Sequence, residues 1–323
     1  MTLVSGPQAP PVQGEFSGVL IYTFGEYYLV QYALAAAGLA MLAGFLYAIS
    51  SRNDVAPRYR AASNASALIQ AVAFLAYAAL FVSWQTSFTL DGDRYVPDGT
   101  SLFAGGLRYA DWTVTVPLLA VELLSVCALA GGRMFRRRTA AMTAAFLMIF
   151  TGFLGAQVLD AGNRVLWLVV WGLISTVFFL VLYAVLGTAV AASRDELSTG
   201  AFTSLKRATI VLFSSFGAYP LIYLVQQYVS ADSNLVAWAL VTQLGYCTAD
   251  VVAKVGFGAM IHKVAKLRTA DDVRAGTETH PEEIWVSHVK QSEAWPPVAA
   301  ALSGHGAHPA VVTTRPGNGH RTP

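Results

Sequence analysis

Long apolar stretches alternate with shorter polar connections along most of this 323-residue chain. A helix that crosses a lipid bilayer needs about 20 predominantly apolar residues, and segments of that length recur seven times. The pattern therefore predicts an all-α membrane protein, folded as a seven-helix transmembrane bundle. We place the spans near residues 26–50, 61–87, 105–131, 137–160, 164–193, 203–229 and 234–265.

Two other parts of the chain show a different pattern. Between the second and third spans, residues 88–96 read FTLDGDRYV with Asp91-Gly92 at the centre, which is typical of a short β-hairpin. Beyond about residue 270 the chain becomes polar, and we expect a short amphipathic helix near 281–292 followed by disorder. The predicted domains are an extracellular segment 1–25, a helical domain 26–268 and a largely disordered cytoplasmic tail 269–323.

The distribution of Lys and Arg predicts the orientation of the bundle in the membrane. The connections near 52–60, 133–138 and 194–207 and the stretch 263–268 are rich in basic residues, whereas the alternate connections carry Asp. Since basic loops stay in the cytoplasm, the N-terminus and the hairpin are expected outside and the C-terminus inside. We expect a multi-pass protein of the plasma membrane.

The composition indicates a protein embedded in lipid and argues against nucleic-acid-binding, disulfide-rich and metal-binding proteins. The chain is 55% hydrophobic and 12% charged, whereas soluble domains carry about 25% charged residues. The formal net charge of +2 gives no indication of nucleic-acid binding. The two cysteines, Cys127 and Cys247, both lie in apolar stretches, so neither a disulfide framework nor a metal site is predicted. Nothing indicates an enzyme.

The last span contains a lysine in the middle of the membrane. Lys254 follows Asp250 by four residues, which places both side chains on one helix face. A charged lysine in lipid is costly and usually functional. Two interpretations stay open at this point. The pair is either a buried ion pair that fixes helix packing, or a Schiff-base lysine whose protonated imine is held by a carboxylate.

The third span carries four polar residues on one line. Arg108, Asp111, Thr115 and Glu122 follow each other along one helix face, and Glu122 lies about 16 Å beyond Asp111. Isolated polar contacts between helices explain one such residue but not four aligned ones. Two carboxylates about half a membrane apart, with room for a central relay group, predict a proton path.

Three segments in these two spans, 108–112 (RYADW), 115–119 (TVPLL) and 250–258 (DVVAKVGFG), resemble the microbial (type 1) rhodopsin family. The similarity extends over about residues 30–265, with shorter matching segments at 148–152, 171–176 and 218–220. The resemblance implies that all-trans-retinal is bound covalently to Lys254 as a protonated Schiff base.

The resemblance also implies roles for the polar residues. Asp111 matches the counterion and proton acceptor, and Asp250 the second counterion. Thr115 matches a threonine that hydrogen-bonds Asp111, and Arg108 the group that links it to the outer side. Glu122 matches the cytoplasmic proton donor, whose apolar surroundings favour the protonated form in the dark. The residues expected to line the chromophore are Trp112, Leu119, Met148, Gly152, Ser175, Thr176, Phe179, Phe216, Tyr219, Pro220 and Tyr223.

The Asp111–Thr115–Glu122 set resembles the proteorhodopsin- and xanthorhodopsin-type outward proton pumps, so a light-driven outward proton pump is the expected function. The alternative is a photosensory or slow-cycling signalling rhodopsin that acts through its cytoplasmic tail and a partner bound there. This alternative is supported by the long tail and by Phe216, which stands where the family usually has tryptophan. Weaker alternatives are a channel and a transporter or receptor that binds no retinal.

Gly172 bears on whether the protein also binds a carotenoid. Members of the family that bind a carotenoid antenna have a glycine at this place, because a bulky side chain would close the window to retinal. The competing interpretation is that Gly172 eases helix packing, as small residues do in membranes. Besides the lipid bilayer, the resemblance implies a homo-oligomer, either a trimer or a pentamer.

Overall fold

The computed structural model contains seven spans among the residues that it describes. The described residues are 16–101, 103–159, 165–228, 234–277, 285–286 and 289–290. Among these, only the backbone is described for 16, 165, 223–228, 285–286 and 289–290. The helices are α1 (Phe24–Ser50), α2 (Arg60–Thr86), α3 (Leu107–Ser125), α4 (Gly131–Phe153), α5 (Val165–Ala192), α6 (Thr199–Tyr228), α7 (Leu235–Val251) and α8 (Phe257–Arg274).

Two wide π turns interrupt this regular helical pattern. The π turn Val252–Gly256 joins α7 to α8, so that the two helices form the seventh span. The π turn Leu154–Val158 extends α4. A π turn adds a residue to one helical turn and is frequent at functional sites. Lys254 lies within the π turn Val252–Gly256.

A small antiparallel sheet covers one end of the bundle, called the hairpin end below. Its strands are β1 (Tyr22–Thr23), β2 (Phe88–Asp91) and β3 (Arg94–Pro97), in the order β1-β3-β2. Gly92 has a φ of 62°, which suits the tight turn between β2 and β3. The hairpin predicted between the second and third spans is therefore present, but its turn is Gly92-Asp93, one residue later than predicted, because Asp91 belongs to β2 and pairs with Arg94.

The chain after the seventh span differs from the prediction in two respects. Helix α8 continues to Arg274, past the boundary predicted at residue 268. The short helix predicted near 281–292 is wrong where the structure describes this segment. There, β4 (Trp285–Val286) pairs antiparallel with β5 (Val289–Lys290), in keeping with the strand preference of Trp and Val. The rest of the predicted tail lies outside the described residues.

Large apolar side chains face outward along the helices. Leu39, Leu68, Leu75 and Leu173 are each more than half exposed. Five of the described spans are long and apolar enough to cross a membrane by length and composition. Helix α3 is shorter, at 19 residues, and it is the helix that carries Arg108, Asp111 and Glu122. The bundle thus turns an apolar surface outward and buries the charged residues of α3, as a membrane protein does.

Aromatic packing closes the hairpin end. Tyr22, Trp84 and Phe88 are buried against each other, with ring centroids 4.7 to 5.4 Å apart. The rings of Tyr27 and Tyr95 stack at 3.7 Å and tie β3 to α1. Edge and offset contacts of this kind stabilise a core beyond the area that they bury.

Candidate functional site

Lys254 lies at the centre of the bundle, paired with two carboxylates. Its side chain is 1% exposed, and its ammonium nitrogen contacts Asp111 Oδ2 directly. The same nitrogen lies 3.3 Å from Asp250 Oδ1. The third and seventh spans therefore bring together the three groups that the sequence motifs singled out.

The two carboxylates differ in their other hydrogen bonds. Asp250 accepts hydrogen bonds from Tyr77 Oη at 2.8 Å, Trp112 Nε1 at 3.1 Å and Tyr219 Oη at 2.5 Å. Asp111 Oδ1, in contrast, has no hydrogen bond of normal geometry within the described residues. An ionised carboxylate can accept about four hydrogen bonds, so Asp111 retains room to bind a proton and Asp250 has little.

Thr115 lies one turn after Asp111 and is fully buried. Its hydroxyl donates to the main-chain carbonyl of Asp111 at 3.0 Å and also lies beside the Asp111 carboxylate. A Thr hydroxyl that bonds to the carbonyl four residues earlier leaves its oxygen free to accept. Thr115 can therefore also receive a hydrogen bond from a protonated Asp111.

Arg108 connects the central pair to the hairpin end. Its Nη2 donates to Gln243 Oε1 at 2.7 Å, and its guanidinium lies 5.1 Å from the centre of the Tyr246 ring. Gln243 Nε2 in turn donates to Ser17 Oγ at 3.1 Å. This polar line runs from Arg108 to the N-terminal 3₁₀ helix Phe16–Val19. The sequence motifs did not indicate Gln243 or Ser17, because neither belongs to a recognised pattern.

Glu122 is located beyond Lys254 in the opposite direction, away from the hairpin end. Its side chain is 1% exposed, and Ser66 of α2 lies beside the carboxyl. Asp111 and Glu122 thus lie on α3 on either side of the level of Lys254. All four polar residues predicted to lie on one line, Arg108, Asp111, Thr115 and Glu122, are buried on α3.

An apolar cavity of about 260 Å³ adjoins the central pair between α3, α4, α5 and α6. Trp112 and Tyr219 line this cavity and also hydrogen-bond Asp250, so that it ends beside Lys254. The predicted chromophore contacts that line it are Trp112, Met148, Gly152, Ser175, Thr176, Phe179, Phe216, Tyr219 and Pro220, and Gly172 lines it as well.

The cavity differs from the predicted pocket at a few positions. Leu119 is buried in the adjacent core and does not line it. The side chain of Tyr223 lies outside the described residues. Further lining residues that the sequence did not indicate are Tyr109, Val116, Ile149, Leu168, Val169, Leu173 and Tyr246. Apolar residues of a membrane span carry no signal that separates a ligand contact from ordinary packing.

The cavity and its surroundings fit a retinal group. A long apolar polyene needs an apolar slot, and an imine needs an uncharged amine at the end of that slot. Lys254 is the only buried lysine in the part of the chain that the structure describes. Its two neighbouring carboxylates, Asp111 and Asp250, would balance the positive charge of a protonated imine. The residues that would hold the group are therefore present.

Comparison with known proteins gives a consistent result. A family model described as "Bacteriorhodopsin-like protein" matches residues 28–267. Bacteriorhodopsin-I of Haloquadratum walsbyi is 31% identical over 252 residues, which cover 77% of this chain and 89% of that protein. Bacteriorhodopsin of Halobacterium salinarum is 29% identical over 196 residues, covering 60% of this chain and 67% of that protein.

Solved structures agree with the sequence comparison. Xanthorhodopsin, described as a light-driven ion pump with dual chromophore, superposes with a TM-score of 0.72 at 32% identity. The match covers 79% of this chain and 98% of xanthorhodopsin. A thermophilic rhodopsin superposes with a TM-score of 0.71 at 31% identity, over 79% of this chain and 99% of that one.

Proposed function

Since this chain belongs to the family of bacteriorhodopsin-like proteins, we propose that it is a light-driven pump that moves protons out of the cell. It is a multi-pass membrane protein of the microbial rhodopsin type, as its relatives and its apolar helices require. One observation supports proton transport above all: Lys254 contacts Asp111 on one side, and a second buried carboxyl, Glu122, stands on the other side.

The direction of transport follows from the positions of these residues and from the loop charges. Because basic residues concentrate in the connections opposite the hairpin end, we place the hairpin end outside the cell. Asp111 and Arg108 then face the outer half of the membrane, and Glu122 faces the cytoplasmic half. Transport is outward if Lys254 gives its proton to Asp111 and then receives another proton from Glu122.

Each polar residue of the site has its own role in the proposed transport. Bound to Lys254 as an imine, retinal supplies light absorption and a change in the proton affinity and direction of the Lys254 nitrogen. Asp111 Oδ1 has the free hydrogen-bonding capacity to take the proton from that nitrogen. Asp250 keeps its three donors and stays a fixed negative charge. Glu122 then returns a proton to Lys254 from the cytoplasmic side.

The direct test in cells is a light-induced pH change. Cells that express the protein with all-trans-retinal are illuminated in unbuffered medium, with and without a protonophore. Acidification that the protonophore abolishes is the expected result, and Asp111→Asn is expected to remove it. A coloured, photoactive protein that leaves the pH unchanged would contradict the pump and favour a sensor that acts through its tail.

A carotenoid antenna is a second proposal, and it rests on Gly172. This glycine lines the apolar cavity next to Leu173, which is 63% exposed, so that the cavity reaches the lipid-facing surface of α5. Xanthorhodopsin is described as having a dual chromophore. We expect a carotenoid-dependent band in the excitation spectrum for light-driven transport, and Gly172→Trp should remove it. Wild-type protein that shows no such band with hydroxylated or ketolated carotenoids would exclude the antenna.

A further inference from the structure

A second cavity lies on the other side of Glu122, between α1, α2, α3 and α8. It has a volume of about 320 Å³ and shares no lining residue with the apolar cavity. Its polar lining residues are Tyr47, Ser51, Ser63, Ser66, Gln70, Glu122 and His262. The cavity thus begins at Glu122 and ends near the surface opposite the hairpin end.

Buried polar atoms around this cavity lack hydrogen-bond partners. Within the described residues the atoms without a hydrogen bond of normal geometry include Gln70 Oε1, Ser63 Oγ and both carboxyl oxygens of Glu122, which lie beside Ser66. Buried polar atoms are almost always hydrogen-bonded to protein or to ordered water. Most of the lining is apolar, but a cavity of about 320 Å³ is large enough to hold waters that would pair these polar atoms. These polar atoms would give waters in the cavity hydrogen-bond partners along a route to Glu122.

The mouth of the cavity holds an ionisable pair. The side chain of His262 is 8% exposed, and its Nε2 lies 3.7 Å from Asp54 Oδ2. The carboxylate of Asp54 is 34% exposed and is also paired with Lys266 Nζ at 3.1 Å. The ring of Tyr47 contacts the imidazole from α1, with centroids 5.5 Å apart. Asp54 therefore meets solvent, while His262 faces both Asp54 and the cavity.

The seventh span presents one face along this whole route. Lys254, Gly258, His262 and Lys266 follow at intervals of four residues, which places them on one side of the helix. A methyl group on Gly258 would lie 2.6 Å from Ser66 Oγ and 3.4 Å from Glu122 Oε1. The absence of a side chain at Gly258 therefore leaves the space in which α2 and α3 bring their polar groups together.

We propose that Asp54 and His262 form the proton-uptake group that recharges Glu122 through this cavity; the proposal rests on the pump function proposed above. A proton from the cytoplasm binds to the exposed carboxylate of Asp54 or to the imidazole of His262. It then passes along the polar lining to the carboxylate that Glu122 becomes after giving its proton to Lys254. A histidine suits this role because one imidazole nitrogen can accept a proton while the other donates one.

The test compares proton uptake after a light flash in wild type, His262→Ala and Asp54→Asn, followed with a pH-indicator dye. Loss of a positioned acid–base group should slow uptake by roughly tenfold or more, and a small weak acid such as azide should restore the rate. The matched control is Asp271→Asn. Asp271 is a carboxylate of the same end of the bundle that pairs with Arg274 and Ser198 outside the cavity.

The outcomes separate this proposal from the pump itself. If wild type acidifies the medium and both variants take up protons within twofold of the wild-type rate, the uptake proposal is overturned and the pump stands. If wild type transports no protons, the pump fails. In that case the uptake route is tested separately, by hydrogen–deuterium exchange of the Glu122 carboxyl in the dark. Infrared spectroscopy measures the rate of this exchange. Slower exchange in His262→Gln and Gly258→Val supports the route, and unchanged exchange overturns it.

Discussion

At the scale of single residues, the two carboxylates beside Lys254 have different surroundings and hence different capacities. Asp250 is held by three donors from three other helices, α2, α3 and α6, whereas Asp111 has one oxygen without a hydrogen bond in the described part of the chain. The first arrangement fixes a charge in place, and the second can accept a proton. The difference in role follows from hydrogen bonding, because both groups are aspartates and both are buried.

Lys254→Ala should abolish the visible band that forms on addition of all-trans-retinal, because no other buried amine is available among the described residues to form the imine. The measurement is an absorption spectrum of the purified protein after incubation with retinal. Lys206→Ala, at an exposed lysine of α6, is the control and should keep the band. A visible band of normal intensity in Lys254→Ala would contradict the assignment of the attachment site.

Glu122→Gln should leave the visible band in place and slow the recovery after a flash by about a hundredfold. The substitution keeps the shape of the side chain but removes the only buried carboxyl that the structure describes on that side of Lys254. The measurement is the decay of the flash-induced absorbance change at several pH values. Recovery at the wild-type rate would show that the proton reaches Lys254 by a route that bypasses Glu122.

Motif spacing was sufficient to predict most of the ionisable site but little of what surrounds it. Lys254, Asp111 and Glu122 were predicted because charged residues in an apolar span are conspicuous. Tyr77 and Gln243, which hold Asp250 and Arg108, carry no such signal, since Tyr and Gln are common in membrane helices. Hydrogen-bond partners depend on which helices meet, and a sequence pattern does not determine this.

At the scale of helices, two π turns depart from regular α-helical spacing, and one of them contains Lys254. The sequence predicted regular helical spacing throughout, and the wide turns at 154–158 and 252–256 were not foreseen. Each is adjacent to close packing. A methyl group on Gly155 would lie 2.7 Å from Trp171 Cβ and 3.3 Å from the main-chain oxygen of Trp167. Close approach of α4 and α5 therefore requires glycine here.

Gly155→Ala should destabilise the protein by about 1–3 kcal/mol, since the added methyl group overpacks the contact between α4 and α5. The measurement is the midpoint of thermal unfolding, followed by loss of helical circular dichroism. The matched control is Gly200→Ala in α6, where an added methyl group would meet no atom within 4 Å. This variant should be as stable as wild type or slightly more so. Equal midpoints for the two variants would contradict the packing argument.

At the scale of the whole molecule, the seven spans were predicted from hydrophobic length, and five of the described spans are apolar and long enough to cross a membrane. The predicted bounds differ most where α3 ends early at Ser125, where α4 begins early at Gly131 and where α8 continues to Arg274. Hydropathy does not separate the end of a span from a helix that continues into water. For the same reason the segment near 285–290 was predicted as helix, although its described residues pair as strands.

The orientation proposed from loop charges can be tested by thiol labelling in intact cells. Both native cysteines are buried, so wild type should react poorly with a membrane-impermeant maleimide. Thr89→Cys, at an exposed position of β2, should be labelled in intact cells. Asp195→Cys, exposed at the opposite end of the bundle, should be labelled only after permeabilisation. The reverse pattern would invert the direction of transport that we propose.

The measurement that tests proton pumping most directly is ion replacement in proteoliposomes. Purified protein loaded with all-trans-retinal is illuminated, and the internal pH is followed in sodium chloride and in a salt of bulky organic ions. We predict the same initial rate in both media, collapse of the gradient by a protonophore, and no pH change with Asp111→Asn. A pH change that disappears when sodium or chloride is removed would show that another ion is transported, and would contradict the roles assigned to Asp111 and Glu122.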